Sequence, residues 1–276
     1  MTSIDVGTAT LVKLGAFALI LTIMAGGLWS VLLVVNLRAT PAIPWSVAVM
    51  ATLLWLAWRL LRGTPSRRRR LRAVRVPKPV FAWALVAGLL SIAALSGLWI
   101  VLSQIVHVKG NALPNFSRYP AIVVVLVIAM AALTAAAAEE AGFRGYLQSA
   151  LEVRFGGPLA ILIGTLVILP AHGLTQGFAL TTLVFYACVD VMLGLTAYLT
   201  QSIVPGFVVH VIGLVVFFSL IWPFDAGRRF VGTYGPDLWF WIHVAQMLAC
   251  GALSVLAFHY LARISGPLRT ATARRS

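Results

Sequence analysis

Residues 134–146 read TAAAAEEAGFRGY. The chain has seven acidic residues in all, and two of them, Glu139 and Glu140, stand side by side at the end of a long apolar run. Burying one ionised carboxylate costs several kcal/mol, so such a pair inside a membrane span asks for a function. Arg144, His172, Asp190 and His210 complete the polar set within apolar segments. Glu140 and Arg144 are four residues apart and share a helix face, where a salt bridge offsets part of the burial cost. Glu139 is turned by about 100° and has no local cation, so it calls for a partner from another helix. A carboxylate beside an imidazole can hold and deprotonate a water, and a second imidazole can donate to an oxyanion. That is a hydrolase layout, with Glu139, Glu140, Arg144, His172 and His210 as candidate catalytic residues. A purely structural salt-bridge knot would account for Glu140 and Arg144 but leaves Glu139 unexplained. Asp190, mid-helix with no evident cation, is either a member of the polar chamber or a protonated acid bonded to backbone, and the second is the expectation. Zinc is a candidate cofactor, and Glu139, His172 and His210 would be its ligands, although their spacing is no specific metal signature.

The elements that must position these groups are membrane spans. The chain of 276 residues is 61% hydrophobic and only 10% charged, far from the roughly 25% charged content of a soluble domain. Apolar runs of spanning length occur at Leu14 to Leu37, Ile43 to Leu61, Val80 to Val106, Ala121 to Gln148, Pro158 to Leu174, Phe178 to Thr200, Ile203 to Trp222 and Leu238 to Ile264. They predict an all-α membrane protein of about eight transmembrane helices, the first an uncleaved helix. The formal charge of +14 is concentrated in a basic loop, residues 62–78, which the positive-inside rule assigns to the cytoplasm. Arg263, Arg269, Arg274 and Arg275 agree, so both termini are expected there. The segments from Lys109 to Tyr119 and from Pro223 to Pro236 then face outward. Arg228 and Arg229 run against the rule in the second of these, and Trp222, Trp239 and Trp241 suit an interfacial belt. Topology explains the charge without nucleic acid, and anionic lipid at the Arg-rich loop is the expected extra partner. Cys188 and Cys250 lie in apolar stretches without CxxC spacing and read as small buried side chains. His107, His243 and His259 read as interfacial.

Three regions follow: an N-terminal three-helix part (1–119), a core with the polar residues (120–222), and an outer turn with the last helix and basic tail (223–276). Within the core, Gly156, Gly157 and Pro158 break the chain into a helical hairpin. Glu140 lies about 24 Å before that break along one helix and His172 at a similar distance after it on the other, at 1.5 Å per residue. The carboxylates and the imidazole should therefore be level. Ala135 to Ala138 and Gly142 allow a neighbouring backbone to approach closely, and Pro170 loosens the helix before His172. Neither an HExxH helix nor a GxSxG elbow is present.

EEAGFRG, residues 139–145, resembles the EExxxR motif of the CPBP family of intramembrane proteases, which includes eukaryotic CAAX prenyl endopeptidases and bacterial Abi proteins. ILPAH, ending at His172, occupies the place of that family's FxxxH motif. GLTAYLTQSIVPGFVVH, ending at His210, is similar to the stretch leading into HxxxN. The resemblance implies a CPBP/Abi-type core, with Glu139 and His172 activating water, Glu140 and Arg144 organising the site, and His210 stabilising the oxyanion. It leaves metal open, since both metal-dependent and glutamate-type members are described. Two positions depart from the pattern: Ile168 stands where the family has Phe, and Leu214 where it has a polar residue one turn after the histidine. Losing one oxyanion donor costs about 10²–10³ in rate. The sequence therefore reads as a multi-pass bacterial inner-membrane endopeptidase that acts near the cytoplasmic side on a membrane-associated peptide or protein. The alternatives are a non-catalytic protein of this fold, for instance in bacteriocin immunity or regulation, and a proton-coupled transporter.

Overall fold

The computed structural model describes residues 7–106, 116–221 and 230–273. Residues 107–115, which include His107 and most of the expected first outer loop, lie outside them, as do Trp222, Arg228, Arg229, Arg274 and Arg275. Among the described residues the chain is helical throughout, with no strand. It is a multi-pass membrane protein. The long helices are α1 (Thr8–Ala39), α2 (Trp45–Leu61), α4 (Lys78–Ile105), α5 (Ala121–Phe155), α6 (Gly157–Gln176), α7 (Leu180–Thr200), α8 (Ile203–Ile221) and α9 (Leu238–Ile264), with the short α3 (Pro65–Leu71) after α2. Trp239 and Trp241 are exposed at the start of α9.

Seven of these helices are long and apolar enough to cross a membrane. The eighth expected span is the 17-residue α2, about 25 Å long at 1.5 Å per residue, and it turns through 112° into α3. Spans therefore number seven, or eight with the bent pair taken as one. The basic stretch is also more ordered than a loop. Thr64 caps α3 by accepting from the Arg67 N–H at 3.2 Å, Pro65 sits in its first turn, and Arg72 ends it with a left-handed φ of 50°. Arg67 to Arg70 are exposed, whereas Arg72 is buried and donates to Glu152 near the end of α5 at 2.8 Å.

Small residues set the close packing. A Cβ on Gly142 would come within 3.0 Å of the Ala18 Cα, which brings α1 onto the middle of α5. A Cβ on Gly97 would meet the His243 carbonyl at 2.8 Å, and the Ser91 and Ser254 hydroxyls pair at 2.7 Å, joining α4 to α9. Gly156, with φ of +79°, makes the sharp turn between α5 and α6, so these two helices form the expected hairpin. Ser202 opens α8, its hydroxyl accepting from the Val204 N–H and donating to the Val74 carbonyl.

Candidate functional site

Helix α5 does not run as a regular α-helix through its acidic pair. From Glu140 to Leu147 it widens into a π turn, and the Gln148 N–H reaches back five residues to the Phe143 carbonyl. In that winding, residues five apart rather than four come one above the other. Arg144 is consequently shared: its Nη1 is 3.9 Å from Glu139 Oε2 and its Nε is 3.8 Å from Glu140 Oε1. Neither contact is its shortest. Arg144 Nη2 donates to Asp190 Oδ1 on α7 in a close hydrogen bond. The expected Glu140–Arg144 bridge is thus a secondary contact, and Glu139 does have a local cation. Asp190 is not an isolated acid bonded to backbone, because rotation of α7 aims it into the bundle at Arg144 and His172.

Two carboxylate–imidazole pairs flank Glu139. On one side, His172 Nε2 lies 3.3 Å from Asp190 Oδ2, without hydrogen-bond geometry and with no other partner for either atom. The His172 ring is stacked on Tyr186, centroids 4.2 Å apart and planes 12° from parallel. Tyr186 and Asp190 are four apart on α7, so one helix face both stacks the imidazole and supplies its carboxylate. On the other side, His210 Nδ1 is 3.1 Å from Glu140 Oε1, and its Nε2 is 3.8 Å from Glu139 Oε2. Gly206 leaves room for this arrangement, since a Cβ there would sit 3.1 Å from Glu140 Oε2.

The groups divide into a front and a back. Glu139, His172 and His210 line a cavity of about 570 Å³, together with Tyr186 and Leu214. Glu140, Arg144 and Asp190 do not line it. At 0%, 3% and 2% exposure they sit behind the front residues. Leu214 gives the cavity an apolar wall at the position one turn beyond His210. The N-terminal helices belong to this site as well, since Thr22 and Ser30 of α1 and Ser96 of α4 also line the cavity.

Among the described residues, donor atoms that come within 4.8 Å of one another belong to Glu139, His172 and Asp190. That set has Asp190 where the expected one had His210, whose Nδ1 faces Glu140. With neutral imidazoles the cluster carries two net negative charges. Protonation of both rings, or one divalent cation, brings it to neutrality. The free His172 Nε2 and Asp190 Oδ2 fit the nitrogen and oxygen ligands of zinc. The contacts that the sequence reading did not foresee are those of Asp190 with Arg144 and His172 and of Tyr186 with the His172 ring. The available signal for Asp190 was its mid-span position, which in a membrane helix marks a functional group by default.

A helical membrane protein with a charged cluster buried beneath a cavity is the class that the fold and site define. Residues 121–216, from α5 into α8, match the family model described as type II CAAX prenyl endopeptidase Rce1-like, a likeness that covers about a third of the chain. Neither a curated protein nor a solved structure matches the chain.

Proposed function

We propose that this protein is an intramembrane endopeptidase that hydrolyses a peptide bond with a water activated by Glu139. The observation that carries the reading is that Glu139, His172 and His210 share one cavity wall while each imidazole has a carboxylate behind it. A water between Glu139 and His172 gives its proton to Glu139 as its oxygen adds to the carbonyl carbon. The oxyanion so formed accepts a hydrogen bond from His210 Nε2–H. Collapse breaks the C–N bond, and Glu139 returns the proton to the leaving nitrogen. Asp190 and Glu140 orient the two rings, and Arg144 offsets the charge of three buried carboxylates. Zinc, when bound, would be held by Glu139, His172 and Asp190 and would supply Lewis acidity to the water. The substrate is a membrane-associated peptide or protein. The exposed Arg67 to Arg70 suit contact with anionic lipid at the cytoplasmic surface of a bacterial inner membrane, with both termini on that side.

Leu214 favours a second reading, a non-catalytic protein that keeps the fold and cluster as a regulatory or immunity partner. Wild type, Glu139→Gln and His172→Ala, shown to fold alike, are compared on a library of membrane-associated peptides with and without chelator. Cleavage by wild type, reduced in the variants by about 10²–10⁴, is expected. No cleavage by wild type, with the variants still serving the cellular role, overturns the endopeptidase in favour of the partner.

A further inference from the structure

The cluster is sealed on one side and open on the other, and the sealed side is that of the arginine-rich hairpin, residues 62–78, which contains α3 and joins α2 to α4. There, Arg72 donates to the Arg144 carbonyl at 3.0 Å and its own carbonyl accepts from the Ile203 N–H at 3.2 Å. The Tyr146 hydroxyl donates to the Leu61 carbonyl at 2.5 Å. A Cβ on Gly145 would come within 3.0 Å of the Leu71 carbonyl oxygen. These contacts clamp the α2–α3 corner and the chain after it against the lower part of α5 and the start of α8. They leave Glu140 fully buried.

The cavity runs the other way. Its lining on α5 goes from Glu139 back to Ala131, on α8 from Val209 out to Phe218, on α6 from Ala171 to Gln176, and on α1 from Thr22 to Ser30. Helix α1 lies antiparallel to α5, with Ala18 against Gly142. Thr22 is therefore about level with Glu139, and Ser30 lies about 12 Å beyond it at 1.5 Å per residue. These walls start about level with the cluster and extend away from the hairpin, α7 alone lining the cavity about one turn past Asp190, to Leu193, and on α6 the lining reaches the last residue of the helix.

The walls also show what they accept. They are mainly apolar, yet the Thr22 and Thr134 hydroxyls are buried without partners, and Gly26 and Gly27 of α1 have open space where a Cβ would stand. Inside a membrane an unwound backbone must find partners. Free hydroxyls beside an open glycine pair offer them to a peptide in extended form.

We infer that the site is loaded from the membrane half opposite the arginine-rich hairpin, and that its substrate is an apolar peptide segment of a membrane-inserted or exported chain. A polar tail on the hairpin side faces the sealed floor. The substrate part of this inference rests on the endopeptidase reading; the direction of access does not.

Single cysteines are placed by Thr134→Cys in the cavity and Ser66→Cys in the hairpin, in a background carrying Cys188→Ala and Cys250→Ala. Each is treated with a small membrane-impermeant thiol reagent in bacterial spheroplasts and in inverted vesicles, with denatured protein as the full-labelling control. The expected result is that the two cysteines react from opposite sides. Reaction of both from the same side overturns the inference, as does no reaction of the Thr134→Cys protein from either side. Two reporters then carry one apolar scissile segment, either within the outer half of the membrane or as a tail on the hairpin side. Selective cleavage of the first supports the substrate class, and cleavage of the second overturns it while leaving the peptidase intact. With opposite-side labelling and neither reporter cleaved, the access route stands, and the substrate class falls together with the endopeptidase reading on which it rests.

Discussion

Arg144 is the one guanidinium of a cluster with three carboxylates, so replacing it with Met tests the electrostatic reasoning most directly. Its nitrogens lie 3.9 Å from Glu139 and 3.8 Å from Glu140, and unit charges at that separation attract by about 4 kcal/mol at an effective dielectric constant near 20. The hydrogen bond to Asp190 adds a third attraction. Most of this gross sum is offset in the wild type by the cost of burying the guanidinium, and the net loss on removing one partner of a buried pair is about 3–5 kcal/mol. Asp190→Asn should be milder, about 1–2 kcal/mol, because Arg144 keeps two carboxylates. The double variant should lose less than the sum, since taking away Asp190 relieves part of the repulsion that Arg144→Met exposes. Denaturant titration of the four proteins in mixed micelles gives the cycle. An Arg144→Met protein within about 0.5 kcal/mol of wild type, the range of ordinary surface substitutions, would refute the account, as would strict additivity.

Three further outcomes are expected. Leu214→Asn puts an amide on the cavity wall one turn from His210 and should raise turnover by about 10²-fold if one oxyanion donor is what the site lacks, read as kcat on a cleaved peptide. Gly142→Val adds methyl groups where a Cβ already comes within 3.0 Å of the Ala18 Cα, so stability should fall by about 1–3 kcal/mol, with partial recovery on adding Ala18→Gly. Tyr186→Leu removes the ring stacked on His172 and should lower kcat with little change in KM, while Tyr186→Phe keeps the stack and stays close to wild type; equal loss in both would mean that the hydroxyl matters and the stack does not.

Much of this arrangement was legible in the sequence because hydropathy and depth are one-dimensional. Counting from Gly156 made Glu140 and His172 level, and their clusters do meet across α5 and α6. Rotation about the helix axis is not one-dimensional. Whether Asp190 looks at lipid or at Arg144 depends on how α7 is turned when it packs, and no local pattern near residue 190 fixes that. The π winding escaped for a related reason: Glu140 and Arg144 have the spacing of an α-helical ion pair, and nothing in that spacing marks the wider backbone turn that the Gln148 N–H to Phe143 carbonyl bond shows. The basic stretch was read by charge alone, which describes Arg67 to Arg70 but misses Arg72, whose partner lies eighty residues away. Cavity direction needed all the walls at once.

The widened turn of α5 also governs the hairpin clamp. A π turn is in effect one extra residue wound into a helix, and by absorbing it the wide turn keeps Gln148 and Glu152 on the faces where they meet the Gly194 carbonyl, at 2.9 Å, and Arg72. Rewinding the segment as regular α-helix with all its residues would turn everything beyond it, taking Gln148 away from Gly194 and Glu152 away from Arg72. The floor beneath the carboxylates would then lose its latch. The width of one turn thus ties the register of the acidic pair to the closure of the face below it.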